Sequence, residues 1–511
     1  MALAKLRTFT LVGIEALPVE AEIDVASTGL PATILVGLAE ASVRESIHRI
    51  ERATLNSGYR KPKNRVVINL APADLRKDAA ALDLPIALGL LAATGQVTPD
   101  VFADTAVAGE LALDGATRPI KGALSIAMAA RRQGCRRLLL PSANGHEAAV
   151  VEGIDVYPVG SLSEAVNLLA GELDFEPAVV DVERFFREQS QHSIDFSDVK
   201  GQEAGKRALL IAAAGKHNCL LIGPPGTGKT MLAKRLPTIL PPLTLTESLE
   251  TTRIYSAVGA TADQPLRTTR PFREPHHTSS EAGMIGGGSN PTPGEISLAH
   301  HGVLFLDEFP EFSRRTLEVL RQPLEAGSVT ITRATAKVEF PADFLLVAAM
   351  NPCPCGYMTD PKRECRCTPI AVDRYLGKIS GPLLDRIDIH LEIPVIELEE
   401  LRGDGSGTPS TPLREQALQA RERQHERFDG DPLMLNGRMS GKQIRSFCSL
   451  DATGEKLLRR AVEELGLSIR AHDRVLRVAR TIADLEGSNA IAEYHLAEAI
   501  QLRRLDRRLW A

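Results

Sequence analysis

Aromatic side chains are scarce in this sequence: one Trp, six Tyr and 14 Phe, 4% of 511 residues. A surface of stacked aromatics that would hold single strands by their bases is therefore not expected. Positive charge is not in excess either. With 60 Lys and Arg against 65 Asp and Glu the net charge is −5. That excludes a general basic coat and confines any nucleic-acid contact to local patches. No run approaches the ~18 apolar residues of a membrane span. The longest apolar stretches, 85–95 and 208–214, are short, and the amino terminus reaches Glu15 before a secretory core could form. A cytoplasmic protein without membrane association is expected. Cysteines number seven; Cys135, Cys219 and Cys448 stand alone and four fall within 353–367. In a cytoplasmic chain such a cluster reads as a metal or redox group, not as structural disulfides.

What is present divides the chain into blocks. Residues 1–175 mix short β-rich runs (21–25, 66–70, 137–140) with Ala-rich helical stretches (39–57, 84–94, 121–133). Residues 176–197 read as a linker. Residues 198–400 alternate strands and helices in the α/β manner. Residues 401–412 are rich in Gly and Pro and read as a flexible connector. Residues 413–511 read as helices and are mildly basic, with 18 Lys and Arg against 15 Asp and Glu.

The strongest motif is Gly223-Pro224-Pro225-Gly226-Thr227-Gly228-Lys229-Thr230. A short apolar run precedes it and a helical stretch follows. That strand–loop–helix context is what a phosphate-binding loop requires. Backbone N–H groups would converge on phosphate, Lys229 would neutralise β/γ oxygens, and the Thr230 hydroxyl would hold Mg²⁺. A second apolar run, 302–306, ends in Asp307 and Glu308. Strand ends are where ligands bind in open α/β sheets. Asp307 is expected to ligate Mg²⁺ through water, and Glu308 to polarise the attacking water as general base. A third run, 344–350, ends at Asn351, which would position that water or else cap the turn before Pro352.

Two arginine sites stand out. Arg386 in Leu-Leu-Asp-Arg-Ile-Asp (383–388) would reach a neighbouring subunit's phosphate, or else pair with Asp385 or Asp388. Arg470, Arg474 and Arg477 share one helical face opposite Val475, Leu476, Val478, Ala479 and Ile482. For most of these arginines a solvated face is the simplest reading; one at the helix start would sense nucleotide across a domain cleft.

The phosphate loop, 304–308, Asn351 and the arginine of 383–388 resemble an AAA+ ATPase. The segments 271–278 (PFREPHHT), 286–288, 293–300 (PGEISLAH), 380–386 and 474–487 narrow the resemblance to the magnesium-chelatase-like AAA+ family, in the branch named for YifB and ComM. It covers essentially the whole chain. It implies a central P-loop α/β domain, a C-terminal helical lid and a ring, a hexamer, that hydrolyses ATP with Mg²⁺. It implies a motor that moves branched or single-stranded DNA in the manner of a branch-migration helicase, in natural transformation or repair. Arg386 becomes the trans finger and Arg470 the second sensor, with Arg474 as the alternative. A chelatase-type motor that drives metal insertion with partner subunits is the second reading. A binding protein with a vestigial ATPase is the third, opposed by the intact set Lys229, Asp307, Glu308, Asn351 and Arg386.

Residues 109–122 (GELALDGATRPIKG) resemble the proteolytic domain of Lon, with its ribosomal-S5-like α+β fold. The Ser–Lys dyad of that domain falls on Ala81 and Leu124, which offer neither nucleophile nor base. A catalytically dead scaffold or binding module is expected.

Between the ATPase motifs, 284–294 reads as a glycine-rich loop on a hairpin. A second hairpin, 327–340, carries Arg333 and Lys337 by its tip. On a pore hairpin such cations would suit sequence-independent contact with DNA phosphates; otherwise they are solvated charges. Glu274, His276 and His277 would make a metal triad, but adjacent histidines on a strand face opposite sides, so a structural role is favoured. Cys353, Cys355, Cys365 and Cys367 match a tetrahedral structural Zn²⁺ site in number, though the one-residue spacing within each pair is tight. Free thiols and a redox pair are the alternatives.

Overall fold

The computed structural model describes residues 3–37, 41–75, 77, 81–172, 175–189, 193–261, 264–288, 290–332, 337–395, 407–431, 434–465 and 468–503. Among these, no helix is long and apolar enough to cross a membrane.

The N-terminal residues form a seven-stranded sheet, in spatial order Thr33–Val36, Val66–Ala71, Glu15–Val25, Ala4–Val12, Thr105–Val107, Arg137–Pro141 and Asp155–Val159. Ala4–Val12 and Glu15–Val25 run antiparallel, joined through Gly13 and Ile14. The half beyond Ala4–Val12 is parallel. The helix Asp83–Ala93 is buried at every residue. Its sequence, DLPIALGLLAA, has no polar face, so it can only lie inside the layers. The stretch read as a linker is partly structured. Val180, Val182, Phe185 and Phe186 pack on the N-terminal core, the last three on the helix Val182–Gln189. Their spacing puts an apolar stripe on one face of that helix.

The central sheet has five strands, all parallel, in the order Phe272–Arg273, Val303–Leu306, Leu345–Met350, Cys219–Ile222 and Ile389–Glu392. The three inner strands are fully buried, and alternate residues enter different cores. Cys219, Leu221, Val303, Phe305, Val347 and Ala349 face a core shared with the helices Glu203–Gly215 and Lys229–Ile239. Leu220, Ile222, Leu304, Leu306, Ala348 and Met350 face the opposite core, which takes in the inserted helices and hairpins.

The C-terminal residues are helical, as expected: Ser410–Arg427, Gly441–Phe447, Ala452–Leu465, Ile469–Leu485 and Glu493–Gln501. Among the described residues they share the first of these two cores. The first of these helices starts inside the segment read as a connector. Ser410 is buried; its hydroxyl accepts the Phe196 N–H at 2.8 Å and bonds Thr238 Oγ1 at 2.7 Å. Pro412 falls in the first helical turn, where its missing N–H costs nothing.

The N-terminal sheet is docked on the central domain. Ile14 is buried in the same core as Ile254, Ala257, Val338 and Phe340. Glu15 pairs with Arg253 at 2.6 Å. The buried Glu147 carboxylate accepts from Thr261 Oγ1 at 2.8 Å, from the Leu124 N–H at 3.1 Å and from Ser256 Oγ.

Candidate active site

The strand Cys219–Ile222 runs into Gly223, and the helix Lys229–Ile239 opens six residues later. A Cβ at Gly223 would stand 2.3 Å from the Ile393 carbonyl oxygen, so only glycine fits where the loop leaves the sheet. Gln202 Nε2 donates to the Thr227 carbonyl at 3.1 Å and to the Pro394 carbonyl at 2.9 Å, fastening the loop to the chain beyond the edge strand. A single glutamine outside any motif gave no sequence signal for this role.

Lys229 is almost buried. Its Nζ donates to the Gly223 and Pro224 carbonyls at 2.6 and 2.8 Å and stands 3.4 Å from Asn351 Oδ1. Burial lowers its ammonium pKa to about 8, opposed by the Asp307 charge. Thr230 Oγ1 donates to Asp307 Oδ2 at 2.7 Å. This hydroxyl–carboxylate pair is an all-oxygen set suited to a hard cation such as Mg²⁺. Glu308 follows at φ 50°, in the left-handed region. A non-glycine residue held there stores on the order of 1–3 kcal/mol of strain, a cost found mainly at functional sites. Its Oε2 lies 3.1 Å from His277 Nδ1. Lys229, Thr230, Asp307, Glu308 and Asn351 thus lie at the C-terminal edge of three adjacent strands.

The histidine pair differs from expectation in geometry. His276 and His277 lie beyond the short strand Phe272–Arg273, and their rings are 4.2 Å apart rather than on opposite faces. Glu274 pairs with Lys234 at 2.9 Å and His276 with Thr278 at 2.8 Å, so no triad forms. His277 reaches Glu308 instead, a role that sequence spacing does not reveal. A different trio, Glu250, His300 and His301, brings its polar atoms within 4.8 Å of one another. Yet His300 Nδ1 accepts the Asp343 N–H at 2.9 Å. Its Nε2 therefore carries the proton, directed at Glu250, and has no lone pair for a metal. Burial lowers the His300 pKa to about 4, which keeps the ring neutral.

Arg386 sits at the other edge of the sheet. Asn218, just before the strand Cys219–Ile222, donates through Nδ2 to the Arg386 carbonyl at 3.0 Å. The Arg386 guanidinium pairs with Glu325 and donates to the Pro382 carbonyl at 2.5 Å. Its carboxylate partner is thus 61 residues away in sequence, not Asp385 or Asp388. Those two face Arg470, at 3.7 Å, and Arg474. All three arginines line one pocket of about 600 Å³ with Arg477 and Arg438. Arg474 and Arg477 do not form the solvated face expected of them. Arg474 is locked on the buried Asp388, and Arg477 donates to the Gly437 carbonyl at 3.1 Å. Arg470, 69% exposed, is more open than Arg474 and Arg477, which are half-buried.

The four clustered cysteines come together. Cys353 Sγ lies 3.4 Å from Cys355 Sγ and 3.6 Å from Cys365 Sγ, and Cys355 and Cys365 are 3.6 Å apart. All four sulfurs fall within 4.8 Å of one another. The N–H groups of Tyr357 and Arg366 point at the Cys355 sulfur and lower its pKa to about 6, while burial pushes the Cys353 thiol up to about 12. Four sulfurs at this spacing fit a tetrahedral Zn²⁺ site in number and softness.

The second hairpin pairs Ser328–Thr332 with Lys337–Pro341, Thr332 opposite Lys337. Lys337 is exposed, and Arg333 lies outside the described residues. The first hairpin pairs Gly286–Gly287 with Thr292–Pro293. Ala81 and Leu124, the two positions aligned with the Lon dyad, belong to one apolar cluster.

The family model described as magnesium chelatase, subunit ChlI, matches residues 195–401. A model for subunit ChlI of Mg-chelatase matches 19–144, and one for the ChlI C-terminal region matches 407–503. The chain is 44% identical over 515 residues to the uncharacterized protein YifB of Salmonella typhimurium, covering all of this chain and 98% of that protein. It is 42% identical over 511 residues to the competence protein ComM of Haemophilus influenzae, covering all of this chain and 99% of that one. The magnesium-chelatase 38 kDa subunit of Rhodobacter capsulatus is 24% identical over 332 residues, 59% of this chain and 84% of that subunit. The chain belongs to the magnesium-chelatase-like family, in the branch of YifB and ComM.

Proposed function

We propose that this chain is an ATP-hydrolysing DNA motor, a hexameric branch-migration helicase that acts on recombination intermediates in natural transformation or repair. The observation that carries the reading is the division of the catalytic set between two sheet edges. Lys229, Thr230, Asp307, Glu308 and Asn351 stand at one edge, and Arg386 and Arg470 share a pocket at the other. Neighbouring subunits in a ring would join the two. Lys229 and the loop amides bind the phosphates, and Mg²⁺ held by Thr230 and Asp307 neutralises the β/γ oxygens. Glu308 takes the water's proton and Asn351 orients that water. Arg386, with Arg470 beside it, stabilises the charge that develops on a neighbour's γ-phosphate. DNA would be held by phosphate contacts through Lys337 and Arg333. The N-terminal domain, a Lon-like fold without its dyad, serves as scaffold. The four cysteines hold a structural zinc, and the motor works in the cytoplasm.

The chelatase reading draws on the likeness to the Rhodobacter capsulatus subunit and on the ChlI family models. The DNA reading is favoured because the likeness to ComM is closer, 42% against 24%, and extends over all of this chain. ATP turnover with and without a four-way junction, and ATP-dependent strand exchange on a labelled junction, should both respond to the protein. A parallel metal-insertion assay with protoporphyrin and candidate partners should not. Junctions left unprocessed at every salt concentration, with turnover indifferent to DNA, would overturn the DNA reading in favour of the chelatase one.

A further inference from the structure

The turn that carries the four thiols lies against the phosphate loop. Cys353 stands two residues beyond Asn351, and residues 351–368 contain no helix or strand. The chain turns back at Gly356 with φ 86°, and a Cβ there would stand 2.7 Å from Pro225 Cδ, 2.8 Å from Pro225 Cγ and 3.8 Å from Asn351 Cγ. Pro225 is the outer corner of the loop, next to the Pro224 carbonyl that accepts from Lys229 Nζ. On its other side the turn is held by the Gly356 N–H, which donates to the Cys353 carbonyl at 3.0 Å, and by contacts to sulfur. The N–H groups of Gly356 and Met358 point at Cys353, those of Tyr357 and Arg366 at Cys355, and the Cys355 N–H lies 3.4 Å from Cys367 Sγ. A segment this long without secondary structure takes its rigidity from cross-links, and a metal bound by four thiolates is such a cross-link.

We propose that a zinc ion held by Cys353, Cys355, Cys365 and Cys367 makes this turn a rigid strut behind the phosphate loop, with Gly356 as a positioning residue whose contact with Pro225 makes nucleotide affinity depend on metal occupancy. The methyl group of an alanine at 356 would occupy the space of the proline ring and would require an unfavourable positive φ. It disturbs the loop without removing any sulfur.

The inference rests on the ATP reading of the loop. Its test is equilibrium binding of a fluorescent ATP analogue to the full chain, with zinc measured on the same samples and folding followed by circular dichroism. The Gly356→Ala protein should keep its zinc and bind nucleotide roughly tenfold more weakly. Adding Pro225→Ala in that background should recover part of the loss, since the two residues are in contact. Stripping zinc from the parent with a chelator should weaken binding, and returning zinc should restore it. Parent-like affinity in Gly356→Ala, unchanged affinity after stripping, or a chain that takes up no zinc would each overturn the proposal. If Gly356→Ala does not fold, the stripping and restoration arm decides. A parent that binds no nucleotide fails the ATP reading itself; a parent that binds, with variants that do not differ, fails only the strut.

Discussion

Lys229 and Arg386 hang from opposite ends of one strand. Asn218, bonded to the Arg386 carbonyl, opens Cys219–Ile222, and the loop that ends in Lys229 closes it. Four residues of strand span roughly 13 Å, which sets this arginine apart from the phosphate loop of its own chain. Arg386→Ala should lower turnover by about 10³-fold or more while an isolated subunit still binds ATP. Lys229→Ala should fail to bind. Mixing the two inactive proteins should restore part of the activity at mixed interfaces. Co-assembled mixtures that stay inactive at every ratio would remove Arg386 from a neighbour's site.

Glu308→Gln should keep nucleotide binding and reduce hydrolysis by about 10²- to 10⁴-fold, because an amide cannot accept the water's proton. Single-turnover hydrolysis at the parent rate would assign the base elsewhere. His277→Ala, which removes the imidazole 3.1 Å from Glu308 Oε2, should change kcat and leave ATP affinity alone.

The lowered pKa of Lys229, about 8, gives a pH signature. Below pH 8 the amine is protonated in the free protein. As pH rises through 8 it loses its proton and its attraction for phosphate. Bound phosphate favours the ammonium form, so above pH 8 nucleotide binding should take up a proton and apparent affinity should fall. Calorimetry in buffers of different ionisation enthalpy reads this uptake. Its absence between pH 8 and 9 would mean that the lysine is already charged there.

Purified protein should carry about one zinc per chain, set by four sulfur ligands. Elemental analysis of protein prepared without chelator checks this, and Cys355→Ser should lower the value.

Glu147 joins the N-terminal and ATPase domains through Ser256, Thr261 and the Leu124 N–H. Removing it leaves buried donors unpaired, at a cost of about 1–3 kcal/mol. Glu147→Ala should therefore shift the denaturant midpoint downward, whereas substitution of the exposed Lys337 should not.

The ATP site was legible because its parts are short apolar runs followed at once by polar residues, and a parallel sheet aligns such strand ends. Residues 219–230, 302–308 and 344–351 needed no long-range information. The relation of Arg386 to Glu325, of His277 to Glu308 and of Gly356 to Pro225 did need it. Each joins segments far apart in sequence, and the residues involved show no periodicity or motif linking them. Arg474 and Arg477 depart from the solvated face expected of them for a similar reason. Periodicity separates an apolar face from a polar one, but not a polar face in water from one laid against the end of a sheet, where Asp388 lies buried beneath Arg474. The cysteines were legible as a group because number and clustering are sequence properties.

The turn at Gly13 and Ile14 rests on Val338 and Phe340, the same hairpin strand that carries Lys337. Cutting the chain ahead of the ATPase domain would strip Ile14 from Ile254, Ala257 and Val338 and leave an apolar scar beside the hairpin. Such surfaces make proteins stick to themselves. A shortened chain would then be insoluble or clumped for reasons unrelated to catalysis, and in the intact chain the hairpin cannot shift without disturbing the turn of the seven-stranded sheet that rests on it.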